Sequence, residues 1–131
     1  METAIFLKEA LPESGSYCVF ASNTSTDKRS QQFFDSVDDV VDAAQDLDTK
    51  GYDVYFALAS FKEVKSRKVD NVQHLKSFFL DLDCGPSKDF VSQTEAIAQL
   101  KMFCKQLQLP RPLLINSGRG IHVYWVLSEA V

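Results

Sequence analysis

Two aspartates close an almost uninterrupted apolar run in this 131-residue chain, the segment SFFLDLD at residues 77–83. In a β-strand, side chains at i and i+2 share a face about 6.5 Å apart along the chain, so Asp81 and Asp83 would converge. Two unpaired carboxylates beside a core are costly, which means that a cation is expected against them. That cation is a metal ion or the basic stretch at residues 62–68, unless both acids have already emerged into water.

A second cluster of polar groups surrounds one tight turn, in the segment NSGRGIH at residues 116–122. It offers two glycines, a hydroxyl, a guanidinium and an imidazole, and glycines allow backbone amides to approach an anion closely. This composition favours a phosphate-binding turn, although an ordinary hairpin turn with a surface arginine and a half-buried histidine has the same residues. A triphosphate bound here, beside two metal-binding acids, accounts for both clusters at once.

Composition and charge restrict the class of protein. Hydrophobic residues make up 45% of the chain and charged residues 24%, which predicts one globular domain with a packed core. The net charge of −4 argues against a basic coat over the whole chain, but seven aspartates and one lysine fall within residues 35–53, so the remainder is mildly basic.

The cysteines and the apolar runs indicate a cellular compartment. No apolar run approaches the roughly 20 residues that span a bilayer. Cys18, Cys84 and Cys104 are widely spaced and form neither a disulfide framework nor a zinc knuckle. We therefore expect a soluble, cytoplasmic protein with reduced thiols and no membrane partner.

Periodicity and capping residues predict the elements that position the two clusters. In order, these are a helix at residues 2–10, a strand at 17–21, a polar loop at 22–31, a helix from the cap Ser36 to Gly51, a strand at 53–59, a strand at 77–83, a helix from the cap Ser92 to about Leu107, and a hairpin at 113–127. The nearly all-apolar 77–83 strand is predicted to be central and buried on both faces. In the hairpin, His122 and Tyr124 would share one face. The fold class is α+β, an antiparallel or mixed sheet with packed helices.

These residues resemble a known family. The segment FFLDLD at residues 78–83 is similar to the first catalytic motif of archaeo-eukaryotic-type primases and primase-polymerases, which is an apolar run followed by acid, any residue, acid. The segment SGRGIHVYW at residues 117–125 is similar to their second motif. The longer stretches GYDVYFALASF, RKVDNVQHLKSFFLDLDCG and NSGRGIHVYWVLSE resemble the N-terminus of phage and prophage replication primases, which are often fused to a helicase.

The resemblance implies a DNA primase or polymerase that carries out metal-dependent, template-directed nucleotidyl transfer to make primers in DNA replication. Asp81 and Asp83 would ligate Mg²⁺ or Mn²⁺ ions and act in catalysis together with His122. The nucleoside triphosphate would contact the residues of the second motif: Ser117, Gly118, Arg119 and His122. The other implied partners are a single-stranded DNA template and a fused or associated helicase, in the cytoplasm of a bacterial or phage-infected cell.

The resemblance also implies a fold and a domain boundary. Residues 1–131 would be the N-terminal part of a primase-polymerase catalytic domain and would include an RRM-like half of its core. The family completes its metal site with a third carboxylate on a later strand, whereas this sequence ends at Val131, directly after the second motif. We therefore expect residues 1–131 alone to be inactive in primer synthesis.

Two alternatives stay open at this stage. A phosphatase of the haloacid dehalogenase type also has D-x-D at a strand end, but its motif continues with Thr or Val where this chain has Gly85. A non-enzymatic nucleic-acid-binding replication accessory module would leave Asp81 and Asp83 incidental. Exposed stacking aromatics on a sheet face would favour that module, whereas an acid pair facing His122 would favour the primase.

Overall fold

A computed structural model describes residues 2–131 and confirms the α+β class. Within these residues the chain forms three α-helices and eight strands, and the strands pair in antiparallel sheets. Two compact units are formed, one by residues 2–76 with Ser128–Val131 and the other by Ser77–Leu127. None of the described helices is long and apolar enough to cross a membrane.

The first unit has two helices and two small sheets. Its elements are α1 (Thr3–Ala10), β1 (Tyr17–Asn23), β2 (Lys28–Phe34), α2 (Val37–Thr49), β3 (Asp53–Phe56), β4 (Ser60–Phe61), a single 3₁₀ turn (Val69–Asn71) and β5 (Val72–His74). One sheet has the order β2-β1-β3, and β4 pairs with β5 in the other. The helices pack on the face of the larger sheet that carries Val19 and Phe56. On this face Phe6 of α1 contacts Phe56 edge-on, with ring centroids 6.2 Å apart.

Helix α2 begins and ends where the sequence predicts. The Oγ of Ser36 accepts a hydrogen bond from the Asp39 amide at 3.1 Å, which satisfies one of the free amides of the first turn. Gly51 follows the helix with φ of +86°, in the left-handed region that glycine adopts without strain. The aspartates of α2 lie mostly on its exposed side, while Val40 and Leu47 are buried.

Two predictions for the first unit are wrong. Residues 22–31, predicted as a polar loop, contain the turn of the β1–β2 hairpin together with the end of β1 and the first four residues of β2; in this hairpin Tyr17 to Asn23 pair residue by residue with Phe34 to Lys28. The strand predicted at 53–59 ends at Phe56. The reason in the first case is that β2 is stabilised by backbone pairing with β1, so its exposed side chains stay polar and lack the alternation that identifies a half-buried strand.

The second unit is a three-stranded sheet covered on one face by a helix. Its elements are β6 (Ser77–Asp83), α3 (Gln93–Gln106), β7 (Leu113–Asn116) and β8 (Gly120–Val126), with strand order β6-β8-β7. Helix α3 begins at the predicted cap, since the Oγ of Ser92 accepts from the Glu95 amide at 3.2 Å. Its buried residues Ala96 and Leu100 pack against Leu82, Ile121 and Val123 of the sheet.

Strand β6 is at an edge of this sheet, and the prediction that it is central and buried on both faces is wrong. Only Ser77 and Leu82 of its seven residues are buried, and the side chain of Phe79 is 47% exposed. The centre belongs to β8, which pairs with β7 through the tight hairpin and with β6 on its other side. An apolar run shows neither how many strands pair with a strand nor whether both of its faces are covered.

Candidate functional site

The structure brings Asp81 and His122 together across two paired strands. They are direct partners in the β6–β8 register, and the Nε2 of His122 lies 3.7 Å from the Oδ1 of Asp81. Both side chains are partly exposed, Asp81 by 49% and His122 by 34%. Residues directly opposite each other in an antiparallel pair point to the same face, so this acid and this imidazole share the sheet face that lies away from α3.

Aromatic rings border the same face. Phe79 packs edge-on against the His122 ring with centroids 5.2 Å apart, and it contacts Tyr124 at 5.1 Å. Because Phe79, Asp81 and Asp83 alternate along β6 with the residues that face α3, the predicted alternation in β6 and β8 is confirmed. Asp83 lies two residues beyond Asp81 on this face and is paired with Gly120.

Gly120 allows β6 and β8 to approach each other. A Cβ at this position would overlap the carbonyl oxygen of Leu82 and would lie 3.2 Å from the Cα of Asp83. The sequence suggested that this glycine exposes its amide to an anion, whereas in the structure it makes room for the neighbouring strand. It therefore acts on the site indirectly, because its lack of a side chain allows Asp83 of β6 to pair closely with the start of β8.

The turn itself uses two of its backbone amides internally. The Ser117 amide donates to the Gly120 carbonyl at 3.0 Å, and the Gly118 amide donates to the Oδ1 of Asn116 at 2.8 Å. The same Oδ1 accepts from Nε2 of Gln93 at 2.9 Å. A phosphate would have to displace one of these bonds to reach either amide, so the exposed side chains of Ser117 and Arg119 are the direct candidates for contact.

A pocket of about 670 Å³ adjoins this turn and contains part of the predicted site. Its lining residues come from the loop after β6 and from the turn: Asp83, Cys84, Gly85, Pro86, Ser87, Lys88, Gly118 and Arg119. The loop is closed by hydrogen bonds from the Gly85 amide to the Phe90 carbonyl at 2.9 Å and from the Lys88 amide to the Gly85 carbonyl at 3.1 Å. Asp83, Gly118 and Arg119 therefore share one pocket, while Asp81, Ser117 and His122 do not line it.

Lys88 is the residue of this pocket that the sequence analysis missed. Its position in the segment CGPSKDF, directly after D-x-D, was the only sequence feature that could have indicated it. Lys88 lines the pocket together with Arg119 and Asp83, so two basic residues and one acidic residue border the same space. Neither cation neutralises the acids directly, because no salt bridge among residues 2–131 joins Asp81 or Asp83 to a lysine or arginine.

The acids also lack a third metal-binding side chain. Among residues 2–131, no three or more His, Cys, Asp or Glu side chains are arranged to hold a metal ion. Asp81 and Asp83 could supply carboxylate oxygens to a hard divalent cation, and the other positions of that ion would be filled by water or by a bound substrate.

Burial and the nearby acid affect Tyr124 on the same face. Its pKa is raised, first by burial of the phenol and then by the negative charge of Asp81. Because the folded state prefers the neutral phenol, this preference stabilises the fold below about pH 10 and is lost as the pH rises through the raised pKa.

We expect Tyr124→Phe to reduce the alkaline loss of stability. The free energy of unfolding, measured by urea denaturation between pH 8 and 11.5, should fall less steeply above about pH 10 in the variant than in the wild-type protein. Tyr55→Phe, at an exposed position of the first unit, is the control and should follow the wild-type curve. Identical pH dependence in Tyr124→Phe and wild type would contradict the prediction.

Comparison with protein-family models, with curated proteins and with solved structures gives no match. Among the features of the second unit, Asp81, Asp83, His122 and the β7–β8 turn are the ones whose geometry indicates a function.

Proposed function

We propose that this chain belongs to the catalytic domain of a primase-polymerase and takes part in metal-dependent, template-directed nucleotidyl transfer. The observation that carries the proposal is the direct cross-strand pairing of Asp81 with His122, with Asp83 following on the same face. Asp83 and the β7–β8 turn, which begins after Asn116, thereby lie at the same end of one sheet, although Asp83 and Asn116 are 33 residues apart in sequence. A D-x-D motif with an incidental surface position would not require a histidine opposite its first acid.

The arrangement of the second unit supports an RRM-like half of such a core. Its element order is strand, helix, strand, strand, which is the beginning of the β-α-β-β-α-β pattern. The helix covers one face of the sheet, and the other face carries Asp81, Asp83 and His122. An RRM-like sheet uses its uncovered face for nucleic-acid chemistry, which agrees with this placement of the acids.

Asp81 and Asp83 would hold Mg²⁺ or Mn²⁺ in this proposal. Mg²⁺ is commonly bound by one or two carboxylates together with substrate phosphates, so a third protein ligand is not required for the ion to bind with a triphosphate. The bound metal would supply charge neutralisation and activation of the attacking hydroxyl. His122, opposite Asp81, would donate a hydrogen bond to a phosphate oxygen on the same face.

The pocket beside Asp83 would take the triphosphate. Its volume of about 670 Å³ falls within the range of small-molecule sites. Arg119 and Lys88 would offset the negative charge of the phosphates, and the Ser117 hydroxyl at the turn could add a hydrogen bond.

The proposal predicts Mn²⁺-dependent binding of a nucleoside triphosphate. In calorimetric titrations, dATP should bind the protein in Mn²⁺ and should not bind in EDTA, and deoxyadenosine should bind at least ten-fold more weakly than dATP. Lys88→Ala should weaken dATP binding about ten-fold, because a charge-assisted contact contributes about 1.5 kcal/mol. Lys101→Ala removes the same charge from the exposed side of α3 and should bind as wild type.

Two outcomes would contradict the proposal. The first is dATP affinity that is equal in Mn²⁺ and in EDTA. The second is release of inorganic phosphate from dATP at a rate that depends on Asp81, which would indicate the phosphatase alternative.

A further inference from the structure

The β2-β1-β3 sheet of the first unit has an aromatic pair on the face opposite its helices, beside the part of that face where Cys18 packs against Ala59 and Phe61. Phe20 of β1 and Tyr55 of β3 are direct partners in the register, and their rings lie 6.0 Å apart with an interplanar angle of 35°. This face is opposite to the one that carries Val19 and Phe56, on which α1 packs. The side chain of Tyr55 is 55% exposed, so its ring is accessible to a ligand from solvent.

Arg67 lies against the same aromatic pair. The guanidinium carbon of Arg67 lies 4.3 Å from the centre of the Phe20 ring, and its Nε donates to the Oε1 of Gln31 at 2.6 Å. Gln31 is the direct partner of Phe20 on β2, so Gln31, Phe20 and Tyr55 form one row across three strands. The guanidinium is thereby held on the partly buried Phe20 ring, in the same row as the exposed Tyr55, with little conformational entropy left to lose on binding an anion.

The charge around this row is mainly positive. The segment 62–68 that supplies Arg67 has four cations and one acid, Glu63, which pairs with Lys65 at 2.7 Å. A second row on the same sheet face consists of Arg29, Ser22 and Asp53, because Ser22 of β1 pairs with Arg29 of β2 and with Asp53 of β3. Asp53 is the one acid of that row. Most of the other aspartates of residues 35–53 belong to α2, on the opposite side of the sheet.

We propose that this face, defined by Phe20, Tyr55, Arg67, Gln31 and Arg29, binds single-stranded DNA. An exposed tyrosine can stack a base, and adjacent arginines can contact the flanking phosphates, which is how sheet surfaces hold single strands. Duplex DNA does not offer the face of a base for stacking, and an acidic peptide would not use the exposed ring in this way. The choice of DNA over RNA rests on the proposed function, in which the template is a single DNA strand.

The test is fluorescence anisotropy of a labelled dT₁₂ oligonucleotide with the full chain in low salt. Tyr55→Ala should weaken binding about ten-fold, because stacking of one base contributes about 1–3 kcal/mol, whereas Tyr55→Phe should keep the wild-type affinity. Arg67→Ala should weaken binding by a similar factor and should reduce the salt dependence. Lys8→Ala, an exposed charge on α1 of the opposite face, is the control and should bind as wild type.

One variant should change affinity in the opposite direction. Asp53→Asn removes the acid of the Arg29 row and should tighten dT₁₂ binding a few-fold, while Asp42→Asn on the exposed side of α2 should not. Thermal melting of every variant would show that the fold is kept. Because affinity must fall in one variant and rise in another, simple loss of structure cannot produce the expected pattern.

Several results would overturn the proposal. The first is a Tyr55→Ala variant that binds dT₁₂ with wild-type affinity. The second is a 12-base-pair duplex that binds as tightly as dT₁₂, or U₁₂ that binds as tightly or more tightly. The third is full displacement of dT₁₂ by polyglutamate at an equal concentration of charge. Binding of dT₁₂ should persist in EDTA, whereas dATP binding requires Mn²⁺. Failure of the DNA surface and failure of the proposed nucleotide site are therefore separate observations.

Discussion

Gly120→Ala is expected to lower the free energy of unfolding by about 2–4 kcal/mol, which is a large part of the stability of a protein of this size. The added Cβ would overlap the carbonyl oxygen of Leu82, and a backbone atom cannot move aside as the end of a flexible side chain can. Strand β8 is central and pairs with both β6 and β7, so relief of the overlap would disturb both ladders. Urea denaturation followed by circular dichroism would measure the change.

Gly51→Ala is the matched control for this substitution. A Cβ on Gly51 meets nothing within 4 Å, but its φ of +86° is unfavourable for alanine. It should cost about 1 kcal/mol, from backbone conformation alone. If Gly120→Ala were no less stable than Gly51→Ala, the close approach of β6 and β8 would not be required for the fold.

Asp81→Asn combined with Asp83→Asn is expected to abolish Mn²⁺-dependent dATP binding, with a loss of at least about 100-fold in affinity, or roughly 2.7 kcal/mol. The double variant replaces the two carboxylates that would ligate the cation by neutral amides, which are weaker ligands for a hard divalent ion. Calorimetry in Mn²⁺ would measure the loss, and Asp42→Asn, which removes one exposed acid from α2, should bind dATP as wild type.

The same double variant should be no less stable than wild type when metal is absent. Two like charges on one face of β6 repel each other, and the exposed pair of Asp81 with His122 contributes little because solvent screens it. In EDTA we therefore expect the melting temperature of the double variant to be equal to or higher than that of wild type. Mn²⁺ with dATP should raise the melting temperature of wild type but not that of the double variant. Unchanged dATP affinity in the double variant would remove the basis for a metal site at these acids.

Local features of the sequence predicted much of this fold. Both long helices begin at their predicted caps, Ser36 and Ser92, because a cap depends on a side chain and an amide three residues away. The hairpin of β7 and β8 was predicted for a similar reason, since turn residues and strand alternation act over a few positions. These interactions lie within a single element or a single turn, so they can be deduced before the chain is folded.

The candidate site was predicted from the sequence only in part. Alternation along each strand was sufficient to place Asp81 with Asp83 and His122 with Tyr124 on common faces. The register between β6 and β8, which sets Asp81 opposite His122, links positions 41 residues apart and was not available from either segment alone. Lys88 was missed for the same reason, because its pocket forms only where the loop after β6 lies beside Gly118 and Arg119 of the β7–β8 turn.

The amino-acid sequence by itself determined the helices, the hairpin and the composition of the two polar segments. Only the tertiary structure decided that β6 is at an edge, that polar β2 is a strand, and that Gly120 serves strand packing. Each of these depends on which backbone hydrogen bonds a strand makes with distant partners, and a side-chain pattern contains no record of that pairing. The physical reason is that a side-chain pattern indicates which residues of one segment are buried. The pairing of strands depends instead on backbone hydrogen-bonding groups, which are the same for nearly all residue types.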